Sequence, residues 1–228
     1  MSRILLILVL ALAAVDLVSM AVVSLADQPS LTFESDIVQL FDFDYERSLP
    51  TWLQTVMIAA CAALLLVIGA GHGQNGRRRH GLYWVVLAAI FFSISADEML
   101  SVHEQSIVPL RNLFGITNGI FYFAWIIPAT VLLLLLAIGF LPFFRSLPPE
   151  TLRQFTIAGV VFLGGAIGVE MIGGAYVSSE RGGDDAVYRV MTTVEELLEM
   201  LGVVVLLRAL LSYLARGSGI VRISSPDT

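Results

Sequence analysis

Residues 118–144 read NGIFYFAWIIPATVLLLLLAIGFLPFF, and no charged side chain interrupts them. A hydrocarbon core about 30 Å thick asks a helix for roughly 20 apolar residues, and this stretch supplies them. Five further runs of similar character flank it, at 4–26, 51–71, 82–104, 155–177 and 189–215. Turn and breaker chemistry separates them: Gly71-His72-Gly73-Gln74-Asn75-Gly76, then Ser146-Leu147-Pro148-Pro149, then Gly182-Gly183-Asp184-Asp185. Composition agrees, because 57% of the 228 residues are hydrophobic and only 14% are charged, with a mean hydropathy of +0.85. Soluble domains carry about 25% charged residues. Six spans with short connections use up the length. The expected fold is all-α, a polytopic transmembrane helical bundle forming one membrane domain over 1–228.

Residues 4–26 admit a second reading as a cleaved signal peptide, with Arg3 in front and Ser24-Leu25-Ala26 behind. The run is longer than a signal core and Asp16 interrupts it, which favours a retained helix.

Arginine placement sets the orientation. With the N-terminus cytoplasmic, that side holds Arg3, Arg77, Arg78, Arg79, Arg145, Arg153, Arg208, Arg216 and Arg222, nine of the 13 cations in a chain that has no lysine. The opposite side holds Arg47, Arg111, Arg181 and Arg189 and most of the loop acids. The expectation is a bacterial-type inner membrane protein with both termini cytoplasmic. A net charge of −6 gives no reason to expect nucleic acid. The lone Cys61 lies in an apolar run and offers neither a disulfide nor a thiolate cluster.

Eight acids fall within or at the ends of spans: Asp16, Asp97, Glu98, Glu104, Glu170, Glu195, Glu196 and Glu199. Each costs on the order of 2.5–3.5 kcal/mol at mid-bilayer, so such residues face the bundle interior and mark sites. At about 1.5 Å per residue, Asp97, Glu98 and Glu170 lie about 15 residues from the cytoplasmic starts of their helices. The three glutamates of the last span lie about 6–10 residues from its outer start, so independent helices agree on one outer layer. Helical phase places Ser93, Asp97, Ser101 and Glu104 on one stripe, with His103 turned away from it. On the last helix Tyr188, Thr192, Glu195 and Glu199 share a face with Glu196 at its edge. On the fifth, Glu170 lies with Ala166, Gly173 and Gly174, while Gly164, Gly165 and Gly168 form a small-residue surface on the other side.

Carboxylates at this density cannot all stay ionised in a low dielectric. A bound cation relieves them, and oxygen-rich ligands beside one histidine suit divalent Mn, Fe, Ca or Mg, and Zn less well. The expected metal ligands are therefore Asp97, Glu98, His103, Glu104, Glu170, Glu195, Glu196 and Glu199. The pattern is similar to that of dinuclear carboxylate bundles but lacks their Glu-x-x-His pairs, which counts against an oxygenase. A single histidine near a span leaves no bis-histidine haem site.

Two alternatives explain the same acids. One is an accessory or assembly subunit whose carboxylates meet a membrane protein partner or a second copy of the chain. The other is a proton- or cation-coupled transporter. An enzyme acting on lipid or quinone ranks behind both, and no catalytic motif names a reaction.

His72 and His80 are expected to be solvated in the basic loop, and Trp52, Trp84 and Trp125 to belong to interfacial aromatic belts. The segment 32–50, where Phe33, Phe41, Phe43 and Tyr45 alternate with Glu34, Asp36, Asp42, Asp44 and Glu46, reads as a solvated acidic lid over the site.

Overall fold

The computed structural model describes residues 2–25, 36–74, 78–179, 182–183 and 185–216, and among these there are no strands. The helices are α1 (Ser2–Leu25), α2 (Asp36–Gln39), α3 (Leu49–Gln74), α4 (Arg78–Leu100), α5 (Val102–Phe114), α6 (Ile126–Ser146), α7 (Pro149–Leu163), α8 (Glu170–Val177) and α9 (Ala186–Ala215). Six helical stretches are long and apolar enough to cross a membrane, α7 and α8 forming one of them through a π-helical segment, Gly164–Val169. The chain is thus a multi-pass, all-helical membrane protein by length and composition. Arg77, Glu34, Arg181, Asp184 and Arg222, used above for orientation and loop chemistry, lie outside the described residues.

Local chemistry sets most helix ends. Asp185 caps α9, its Oδ1 accepting from the backbone N–H groups of Val187 and Tyr188 at 3.0 and 3.1 Å. Those bonds hold the exposed Asp185 carboxyl below its ordinary range, with Tyr188 the leading cause. Pro149 opens α7 at a position where a missing N–H costs nothing.

Two boundaries differ from expectation. The span expected over 118–144 becomes helical only at Ile126, because Gly119 takes φ 89° and the preceding residues turn. The span expected over 82–104 stops at Leu100: Ser101 adopts the left-handed conformation (φ 49°, ψ 41°), and a separate helix, α5, follows. His103 and Glu104 belong to α5, so a single helical phase does not run from Ser93 to Glu104. Ser93 itself is exposed and donates to the Ala89 carbonyl.

Helix α9 is the hub, packing against α1, α3, α7, the π segment and α8, while α3 lies along α4. Glycines allow the closest approaches. A Cβ on Gly202 would stand 2.8 Å from the Phe162 backbone nitrogen, and one on Gly165 2.5 Å from the Glu195 carbonyl oxygen. Gly164 and Gly168, expected to form the same small-residue surface, meet nothing within 4 Å. The π turn rephases the helix, so that Gly165 alone of the three seats α9.

Outward faces are hydrocarbon. Ile4, Ile7 and Val18 on α1 and Val131, Leu134, Leu135 and Ile138 on α6 are exposed, as a bilayer contact requires.

The end of the bundle away from α5 holds an aromatic knot. Trp84 is fully buried, 5.0 Å between centroids from both Phe143 and Tyr213. His72 is 2% exposed and shares a 3.0 Å hydrogen bond with the Tyr213 hydroxyl. The expectations of a solvated His72 and a belt Trp84 are both corrected. α3 is helical through Gln74, which carries His72 into the packed bundle, and Gly69 lets α4 close on it, its Cβ position lying 3.2 Å from the Trp84 Cβ. His80 stacks into the same knot against Phe143. Trp52, by contrast, is 65% exposed.

The candidate acidic chamber

All eight residues expected at the site line one cavity of about 270 Å³. Asp97 and Glu98 come from the last turn of α4, and His103 and Glu104 from the first turn of α5. Glu170 opens α8, while Glu195, Glu196 and Glu199 come from α9. Among the described residues, however, no group of three or more His, Cys, Asp or Glu side chains converges closely enough to hold a metal ion. The acids are gathered but not drawn onto one point.

Each wall has its own construction. The helix break at Ser101 turns α5 back on α4, so His103 meets Asp97 rather than turning away from the stripe. The His103 Nδ1 lies 2.6 Å from Asp97 Oδ2, and the His103 backbone N–H donates to Asp97 Oδ1 at 3.0 Å. Asp97 therefore caps α5 and binds its imidazole together. Burial works against the imidazolium, but the hydrogen bond and charge of Asp97, with the charges of Glu104 and Glu98, outweigh it and bring His103 up to about 9.

That elevation has a pH consequence. A histidine whose folded value exceeds its ordinary 6.5 stabilises the clasp fully below 6.5, and the contribution fades as pH rises through about 9. Amide hydrogen exchange of α5, corrected for the intrinsic rate, should be slower at pH 6 than at pH 10. Equal protection at both pH values would show that His103 does not hold the helix.

Glu170 sits where the π segment gives way to α8. Such bulges re-aim a side chain by inserting an extra residue into a turn, and here Glu170 meets Trp125, whose Nε1 donates to Oε1 at 2.9 Å.

The α3 wall carries a residue that sequence reasoning missed. Gln54 is fully buried, and its Nε2 donates to Glu199 Oε2 at 3.0 Å, with Glu199 itself only 7% exposed. The Gln54 Oε1 has no hydrogen-bond partner. The signal was present as a lone amide in an otherwise apolar stretch, TWLQTVMIAACAALLLVIGAG. Trp125, read as a belt residue, is the second omission.

The lid is more closely packed than a solvated loop. Asp42 is buried and paired with Arg189 at 3.3 Å, Phe43 is buried, and Phe43, Asp44 and Glu46 line the chamber. Residues 32–35 of that segment lie outside the described residues. Neither Arg111 nor Arg189, both expected on the outer side, lines the cavity: Arg189 engages Asp42, and Arg111 lies over the Tyr122 ring at 4.2 Å. Asp16 is also set apart, buried on α1 and accepting from Thr193 Oγ1 at 2.7 Å.

Beneath the chamber lies a second cavity of about 570 Å³, bounded by α3, α4, α6, α7 and α9. Among the described residues Thr130 and Thr156 are the only ones with a polar side chain in its wall, and Ile90, Ile94, Leu133, Leu136, Phe162 and Leu163 line both spaces. Acidic and apolar volumes are therefore contiguous.

No curated protein and no solved structure matches the chain. A family described as a domain of unknown function, DUF8692, matches residues 4–214, and the chain belongs to that family.

Proposed function

We propose that this protein binds a cation in the acidic chamber, on the outer side of a bacterial-type plasma membrane, with both termini cytoplasmic. The observation that carries the reading is the wall itself. Seven carboxylic side chains from α4, α5, α8 and α9 line about 270 Å³, and among the described residues His103 is the sole basic one and no arginine lines the space. His103 is committed to Asp97. A low-dielectric site of that composition is neutral only with protons or a guest cation aboard.

The arrangement bears on which cation. Because the acids do not converge on one point, a hydrated ion or an organic cation matches the space better than a metal caged by protein oxygens alone; Mg, which keeps several waters, Ca and Mn remain the inorganic candidates, with Fe next. Binding is favoured over conduction because, among the described residues, the cavity below offers only Thr130 and Thr156 as polar side chains, too few for a relay.

Purified protein in nanodiscs, titrated calorimetrically with Mn²⁺, Ca²⁺, Mg²⁺ and methylammonium, tests this. Glu170→Gln and Glu199→Gln should each weaken binding of the preferred cation about tenfold, the loss of about 1.4 kcal/mol of interaction. Wild-type protein that binds none of the four would sink the proposal.

A further inference from the structure

The acidic chamber ends in hydrocarbon rather than in a polar floor. Leu133 to Phe144 on α6 and Leu152 to Leu163 on α7 border the lower cavity along about 16 Å of helix at 1.5 Å per residue. The upper space offers more than charge, since Trp125, Phe123, Tyr188 and Phe43 stand among the carboxylates. Aromatic faces attract cations with apolar substituents. Gln54 adds a buried Oε1 acceptor that lacks a donor, on the carboxamide that donates to Glu199 of the chamber wall.

We propose that chamber and cavity form one site for a long-chain ammonium amphiphile. Its ammonium head sits among Glu170, Glu195 and Glu199 against Trp125, and its hydrocarbon chain runs down between α4, α6 and α7. This inference rests on the cation-binding reading and adds the ligand's class. An ammonium offers several N–H donors to acids that stand too far apart for one metal ion, and it needs no convergent geometry. The wall, apolar among the described residues apart from the Thr130 and Thr156 hydroxyls, suits a hydrocarbon chain. Phospholipids with a phosphate beside the amine are disfavoured, because the phosphate would face the same carboxylates.

Gly159 separates the two halves of the proposal. It lines the lower cavity, and a Cβ there meets nothing within 4 Å, so Gly159→Phe fills the space without a clash at its root. Ala137→Phe fills it from α6 and serves where the first variant folds poorly.

The probes are radiolabelled dodecylamine, ethylamine and dodecanol, bound to protein in phosphatidylcholine nanodiscs and corrected for uptake by discs without protein. Dodecylamine should bind most tightly, and Gly159→Phe or Ala137→Phe should weaken it about tenfold while leaving ethylamine unchanged. Glu170→Gln and Glu199→Gln should weaken both amines. Dodecanol binding as well as dodecylamine would overturn the ammonium head. Ethylamine equalling dodecylamine, with neither cavity-filling variant having an effect, would overturn the chain site and leave cation binding standing. Binding of Mn²⁺ or Ca²⁺ without either amine would likewise overturn the inference alone, whereas binding of no cation at all would remove both readings.

Discussion

Gly165→Val should cost about 3 kcal/mol of stability, at the upper end of what overpacking does, and should abolish cation binding in whatever protein still folds. The obstruction is backbone: a Cβ at 165 stands 2.5 Å from the Glu195 carbonyl oxygen and 3.1 Å from the Glu199 Cγ. Side chains swing aside, but a carbonyl in the middle of a helix moves only with its helix. Relieving the clash would push α9 from the π segment, and with it Glu195 and Glu199 from Glu170. Gly168→Ala is the control, because its Cβ meets nothing within 4 Å; it should be tolerated within about 0.5 kcal/mol. Thermal unfolding in detergent, read beside cation titration, separates the two. Equal behaviour of Gly165→Val and Gly168→Ala would mean that the contact between the π segment and α9 does not build the chamber.

Trp84→Ala carries the other large effect, about 3–5 kcal/mol, the range for deleting a buried aromatic. Trp84 is fully buried and contacts Phe143, Phe155, Tyr213 and both His72 and His80. Its removal opens a void where α3, α4, α6, α7 and α9 meet, which their neighbours fill only in part. The knot lies at the opposite end of the bundle from the acids. Trp84→Ala should therefore lower the unfolding temperature strongly while cation affinity, measured well below that temperature, stays within about twofold. Loss of affinity in folded protein would tie the two ends together in a way the packing does not suggest.

Much of this was legible in the amino-acid order. Six apolar runs gave six helices long enough to span a bilayer, since length and composition decide that property without reference to neighbours. The eight chamber residues were also readable, because the cost of placing a carboxylate in hydrocarbon forces it inward wherever its helix packs. What escaped were features set by tertiary contact or by one backbone angle. Nothing in Met99-Leu100-Ser101-Val102 announces a left-handed serine, yet that residue turns His103 onto Asp97. The run Gly164-Gly165-Ala166-Ile167-Gly168 permits a π turn without requiring one, and 100° phasing carried through it misassigned Gly164 and Gly168. His72 lies beside a basic loop and Trp84 near the end of a span, yet the extra turns of α3 and the packing of α4 bury them. Gln54 escapes notice because one amide barely alters the hydropathy of its span, although its partner Glu199 lies on another helix.

Charge balance offers the most direct test of the central claim. An acidic chamber without its cation must hold protons, so a cation that enters must drive protons out. Protein in nanodiscs, held in weakly buffered solution near pH 7, would receive Mn²⁺, Ca²⁺, Mg²⁺ or methylammonium while proton release is followed. The account predicts that at least one of these acidifies the solution in proportion to the protein present, and that Glu170→Gln combined with Glu199→Gln silences the signal. Saturating levels of all four cations releasing no more protons from the wild type than from the double variant would contradict it.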